Sequence, residues 1–227
     1  MPNNSRRFVE LSHEFTAGMQ TFPGFPVPVM SQLIPFGESV ANTAEGQEYV
    51  IEYVGFTAGS GTYIDSARHF SSKGGDIASL SLEGLIDVPV VIVPAPEGRR
   101  EYLPEDFAGV DVAGHAVLAH TGYSAYWNTP AYAAGSPFVG RKAAEHLRDA
   151  GAAIVGIDAV LIDDIEATGR VDWAAHVTLL GAGIPIIENL TGLDLLPATG
   201  VRLTAAPVRA QGLGSFPVRA YATIDGA

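Results

Sequence analysis

Gly55-Phe-Thr-Ala-Gly-Ser-Gly-Thr-Tyr-Ile-Asp-Ser-Ala-Arg-His-Phe70 is the stretch around which the chain is organised. It grows out of an apolar run, Glu48-Tyr-Val-Ile-Glu-Tyr-Val-Gly-Phe56, which reads as a strand buried on both faces. Gly55, Gly59 and Gly61 then loosen the backbone just before Asp65 and His69. Glycines there let a ligand approach the main chain closely, and a rigid strand before them fixes where carboxylate and imidazole point. From these residues alone the stretch is either a site or a tight turn with a surface Asp and a hydrogen-bonded His.

Composition narrows the setting. With 227 residues the chain can bury one sizeable core, and 47% apolar against 17% charged residues rules out a disordered protein. The 26 glycines and 15 prolines predict many turns and short strands. A formal charge of −12 argues against nucleic acid or an anionic membrane as partner. Without cysteine there is no disulfide, Cys-ligated zinc or thiol chemistry, which is compatible with a cytoplasmic enzyme. The opening Met1-Pro-Asn-Asn-Ser-Arg-Arg-Phe8 lacks the apolar segment of a signal peptide, and no apolar run reaches the roughly 18–20 residues of a membrane helix.

Outward from the central stretch, Phe8–His13 reads as a first strand, with His13 at its end. A Gly/Pro loop follows, and its Phe22 and Phe25 are candidates for a ligand wall. Residues 29–47 show no clean period and read as a polar excursion. Leu85–Val93 reads as a strand whose start is set by Pro89, and Ala116–His120 as another. That second strand runs into Thr121-Gly-Tyr-Ser-Ala-Tyr-Trp127, where Tyr123 and Trp127 are further candidates for a substrate wall.

Gly140–Gly151 is the clearest helix, with Ala143, Ala144, Leu147 and Ala150 on one face and Gly151 placed to terminate it. Ala153–Asp158 reads as a buried strand, completing a strand–helix–strand unit. Asp172 is placed to cap a short helix, Trp173–Leu180, that carries His176. Ile184–Glu188 is a strand ending on a carboxylate. Ala206–Ala222 reads as two strands joined by a Gly-rich turn.

The central stretch resembles the signature His-x-Gly-Thr-His-x-Asp-Ala-Pro-x-His-Phe of the metal-dependent cyclase-like hydrolases, the kynurenine formamidase and isatin hydrolase type. Laid on Gly59–Phe70, it matches at Gly61, Thr62, Asp65, His69 and Phe70; its two leading histidines are here Gly59 and Tyr63, and its Ala-Pro is Ser66-Ala67. The likeness continues at Leu11-Ser-His13 with the Pro23-Gly24 loop, at Thr121–Trp127, and at Gly214–Arg219, where Phe216 is inserted. It implies one α/β domain over residues 1–227, with a mixed sheet of the swivelling β/β/α type, and a homodimer or higher oligomer.

The resemblance also implies that Asp65, the helical His176 and the strand-end Glu188 are metal ligands, that His69 is the general acid/base, and that the substrate is a small amide, lactam or lactone. In the family, the two leading histidines and the shared Asp hold one ion, and the shared Asp, the helical His and the Glu a second. Glycine offers no ligand, and a phenol with an ordinary pKa of about 10 is a poor one. At most one divalent ion is therefore expected, with Zn²⁺ or Mn²⁺ suited to one imidazole and two carboxylates. Tyr63 would then be free to donate a hydrogen bond to a developing oxyanion. Two other chemistries stay open: a metal-free acid/base enzyme centred on His69 (a cyclase, dehydratase or isomerase), and a non-catalytic binder of small molecules.

Overall fold

Apolar runs scattered along the sequence meet in one nine-stranded mixed sheet in the computed structural model, which describes residues 6–20, 22–168 and 171–224. In chain order the strands are β1 (Arg7–Glu10), β2 (Val29–Ile34), β3 (Ile51–Gly55), β4 (Tyr63–Asp65), β5 (Val88–Pro94), β6 (Glu101–Tyr102) and β7 (Ala116–His120). They continue with β8 (Phe138–Val139), β9 (Ile154–Ile157), β10 (Ile186–Glu188), β11 (Val201–Thr204), β12 (Ser215–Pro217) and β13 (Tyr221–Ile224). The helices are α1 (Phe36–Ser39), α2 (Arg141–Asp149) and α3 (Ala174–Gly181). The main sheet runs β1-β13-β11-β5-β7-β9-β10-β4-β12, parallel from β5 to β10 and antiparallel on both flanks. This mixed α/β sheet matches the expected fold class. Among the described residues no helix is long and apolar enough to cross a membrane.

The parallel centre is buried on both faces because its strands are continuous Val, Ile, Leu and Ala. Alternation sends Val117 and Val155 toward α2 and α3, and Leu118 and Ile154 toward the opposite core with Leu11, Leu85 and Leu203. Helix α2 forms as its spacing predicts, burying Ala143, Ala144 and Leu147, and Gly151 stops it at φ +80°. β5 starts at Val88, with Pro89 opposite Arg202; the ladder to β7 begins one residue later, so the missing N–H costs no pairing there.

Three readings are corrected. The run 48–56 is not a strand buried on both faces: β3 pairs only with β2, in a separate two-stranded ribbon, and Ile51, Tyr53 and Val54 are exposed. An apolar run reports that a strand can be covered, not that its own chain covers it. Residues 29–47 supply the other half of that ribbon and most of its connection, where Phe36 and Val40 are exposed. Finally, Ala206–Ala222 is not two strands joined by a Gly-rich turn: residues 206–210 before the turn form no strand, and after it β12 joins β4 at the far edge while β13 joins β11 and β1.

Candidate active site

Three neighbouring strands place the site. In the antiparallel registers β4 sets Tyr63 opposite Glu188 on β10 and Asp65 opposite Ser215 on β12. Partners directly opposite each other share a face, so all four side chains project together. Helix α3 lays His176 over them. Asp65, His176 and Glu188 are buried, while His69, one turn of 3-10 helix beyond β4, is exposed to the cavity.

Burying three carboxylates demands partners, and the chain supplies most of them. Asp163 accepts from the Ala175 amide (2.7 Å), the His176 amide (3.2 Å) and the His176 Nδ1 (2.5 Å). It therefore caps α3 and orients the imbedded imidazole with one carboxylate. Glu188 Oε1 accepts from the Ile162 amide (2.6 Å), and Oε2 accepts a short hydrogen bond from the Tyr63 hydroxyl. Asp65 Oδ1 accepts a short hydrogen bond from Ser215 Oγ, and Ser215 Oγ lies 3.2 Å from His69 Nδ1. Asp65 Oδ2 is buried without a partner. It lies 3.8 Å from His176 Nε2, which is 3.6 Å from Glu188 Oε1.

This concentration of negative charge perturbs the titrating groups. Burial alone would lower the His176 pKa, but the hydrogen bond to Asp163 and the nearby carboxylates of Asp65 and Glu188 override it, and the value rises to about 10. Glu188 is pushed up to about 7 by burial, opposed by His176 and reinforced by Asp65. Burial, then the charges of Glu188 and Asp65, hold the Tyr63 hydroxyl far above its ordinary pKa, so it stays a neutral donor. His69 is lowered, chiefly by burial and against the attraction of Asp65.

These residues fit one divalent cation. Nδ1 of His176 is taken by Asp163, the outer carboxylate that metal-bound imidazoles characteristically carry, and Nε2 faces the orphaned Asp65 oxygen. Ligand atoms of Asp65, His69 and His176 also lie within 4.8 Å of one another. A second ion has no comparable support among the described residues: Gly59 brings no ligand atom, and the Tyr63 ring crowds its position, where an added Cβ would sit 3.3 Å from Cζ.

A cavity of about 530 Å³ opens above these groups, lined by Phe22, Phe25, Phe70, Leu161 and Trp173 together with Tyr63, His69, His176 and Ser215. The loop aromatics Phe22 and Phe25 thus stand where the sequence suggests. Tyr123 and Trp127 do not line the cavity. Asp158 takes the amides of Thr121 (2.5 Å) and Gly122 (2.9 Å); Tyr123 donates to the Gly135 carbonyl (2.7 Å), Trp127 stacks on His13 at 4.1 Å, and both aromatics pack in one cluster with the lining residues Phe22, Leu161 and Trp173. Tyr63 spends its only proton on Glu188, so the expected oxyanion donor is instead a brace for that carboxylate. Asp172 caps nothing. It lies before the helix and pairs with Arg141 at 2.6 Å.

Asp163 and Ser215 are the functional residues that sequence reasoning missed. The Asp163-Asp164 pair follows a buried apolar run, which is the one local signal that a carboxylate there turns inward. Gly214, just before Ser215, passes so close to the His69 backbone that an added Cβ would meet its Cα at 2.7 Å and N at 2.8 Å. Gly214→Ala should push His69 off its hydrogen bond to Ser215 and reduce kcat/KM by about 10²-fold, the effect of an ångström of misplacement, with far-UV circular dichroism unchanged.

The Cyclase family model matches residues 9–164. A kynurenine formamidase of Salinibacter ruber is 29% identical over 162 residues, which span 71% of this chain and 74% of that protein. Isatin hydrolase A of Labrenzia aggregata, solved with benzyl benzoate, superposes with a TM-score of 0.83 at 22% identity, covering 97% of this chain and 94% of its own. A potential metal-dependent hydrolase with cyclase activity gives 0.76 at 23% identity, covering 98% and 100%. The structural likenesses establish the fold.

Proposed function

The chain is an enzyme of the Cyclase family, and from that premise we propose that it hydrolyses the C–N bond of a small aromatic amide or lactam, using one divalent metal ion. The observation that carries this reading is the convergence of the unpartnered Asp65 oxygen, His176 Nε2 and Glu188 Oε1 beneath an aromatic cavity with His69 on its wall. Asp65, His176 and Glu188 would hold the ion, with Zn²⁺ and Mn²⁺ the best match to one imidazole and two carboxylates. A bound ion of this kind lowers the pKa of a coordinated water toward about 7 and polarises a carbonyl.

The side chains do the rest. Ser215 donates to Asp65, so its oxygen accepts from His69 Nδ1–H, and His69 Nε2 is left as the free base. Its lowered pKa keeps it neutral above the ordinary value of 6.5. It takes the proton of the attacking water and returns it to the departing amine nitrogen. Phe22, Phe25, Phe70 and Trp173 present flat apolar walls that suit an aromatic ring and exclude water.

The test is a panel of N-formyl arylamines and aromatic lactams, assayed on metal-depleted and reconstituted protein. Turnover that appears with Zn²⁺ or Mn²⁺ and disappears on chelation supports the reading; turnover indifferent to chelator overturns the metal and leaves an acid/base enzyme in which protons on His176 and Glu188 balance the buried charge. His69→Ala should cost about 10²–10⁴-fold in kcat/KM and erase the acidic limb of its pH profile, which lies below pH 6.5 because the histidine's pKa is lowered. The ion content of that variant should match the parent's. Loss of the ion would make His69 a ligand.

A further inference from the structure

We propose that Asn189 is a positioning residue for the metal centre: by bolting the end of β10 to the turn that enters β4, it fixes the aim of Glu188. The inference rests on the metal reading above. The β10–β4 ladder pairs Ile186 with Asp65, Ile187 with Ile64 and, last, Glu188 with Tyr63. The pairing of β10 with β9 stops one residue earlier, at Ile187. A carboxylate that must meet a cation thus stands where both ladders end and a strand is most prone to fray.

Asn189 takes over where the ladders stop. Its amide donates to the Ala159 carbonyl (3.1 Å), and its carbonyl accepts from Thr62 Oγ1 (2.5 Å). On the side chain, Nδ2 donates to the Gly61 carbonyl (2.8 Å) and Oδ1 accepts from the Tyr132 hydroxyl (2.8 Å). A carbonyl can only accept, so Nδ2 must face Gly61, which leaves Oδ1 for the phenol's proton. Asn189 is 4% exposed, and water cannot stand in for these bonds. Its φ of +57° lies in the left-handed region, which asparagine tolerates better than most side chains. Glycine shares that ease but lacks the amide, and aspartate would set an acceptor against the Gly61 carbonyl. Gly61 in turn stands two residues before Tyr63, whose hydroxyl braces Glu188. One side chain therefore holds both the carboxylate and its brace.

The Zn²⁺ affinity of the metal-depleted full chain, measured by competition with a chromophoric chelator, tests this on Asn189→Gly and Asn189→Ala. Glycine keeps the left-handed turn, whereas alanine adds backbone strain. Ile154→Val, a truncation in the core on the opposite face of the sheet, is the stability control. Asn189→Gly should weaken Zn²⁺ binding by about 10–100-fold, the range for residues that orient metal ligands, and Asn189→Ala by at least as much. The visible bands of bound Co²⁺, which follow ligand geometry, should shift in both. Ile154→Val should lower the melting temperature with neither change. Folded Asn189→Gly with the parent's Zn²⁺ affinity or Co²⁺ bands overturns the positioning role alone, as does an equal loss in Ile154→Val. A parent that takes up no ion overturns the metal reading, and this inference with it.

Discussion

Glu188→Gln should release the metal and lower kcat/KM by on the order of 10³-fold or more, beyond the 10–100-fold typical of outer-sphere changes, because it removes one of the three proposed ligands. The carboxylate is fully buried between two donors, the Ile162 amide and the Tyr63 hydroxyl. A carboxylate can accept from both and still turn a lone pair toward a cation; an amide has one acceptor oxygen and brings an NH₂ that must face one of those donors. Asp65→Asn should behave alike, since its unpartnered oxygen is the one facing His176. Elemental analysis beside initial rates on an aromatic amide reads both effects. Full activity with no ion in either variant would sink the metal role.

Elemental analysis of the parent should find at most one ion per chain, and Tyr63→Phe should keep it. The phenol donates to Glu188 and remains un-ionised, so it contributes a hydrogen bond and no charge. Its loss leaves a buried carboxylate oxygen with one donor fewer and should cost about 1–3 kcal/mol of stability in denaturant melts. Restoring a histidine at position 59 alone should not add a second ion, because the Tyr63 ring already stands 3.3 Å from where its Cβ would be. Two ions per chain would contradict this account.

What the sequence disclosed followed physical locality. Asp65 and His69 share one stretch, so their proximity was written in the chain, and His176 and Glu188 were reachable through the resemblance of that stretch to a family signature. Asp163 was hidden because it caps α3 from a loop eleven residues upstream, while Asp172, adjacent to the helix, carried the same local signal and turned outward to Arg141. Tyr123 and Trp127 were harder to place because an aromatic in a loop satisfies a wall and a core equally, and here both pack in one cluster with the lining residues Phe22, Leu161 and Trp173. The ribbon was mistaken for core because hydrophobicity specifies that a surface is to be covered and not by which molecule.

Residues 212–215 are laced to the loop that bears His69: the Ser66 amide and hydroxyl both donate to the Gly214 carbonyl (2.8 and 2.9 Å), and the Ile77 amide donates to the Leu213 carbonyl (2.9 Å). Segments nearly 150 positions apart in sequence are therefore tied together, at the edge of the sheet where β12 has a neighbour on one side only among the described residues. Such corners exchange their amide protons by local opening, well before a buried parallel centre does. Thermal inactivation should therefore precede global unfolding, with catalysis lost at this corner while most of the fold still stands.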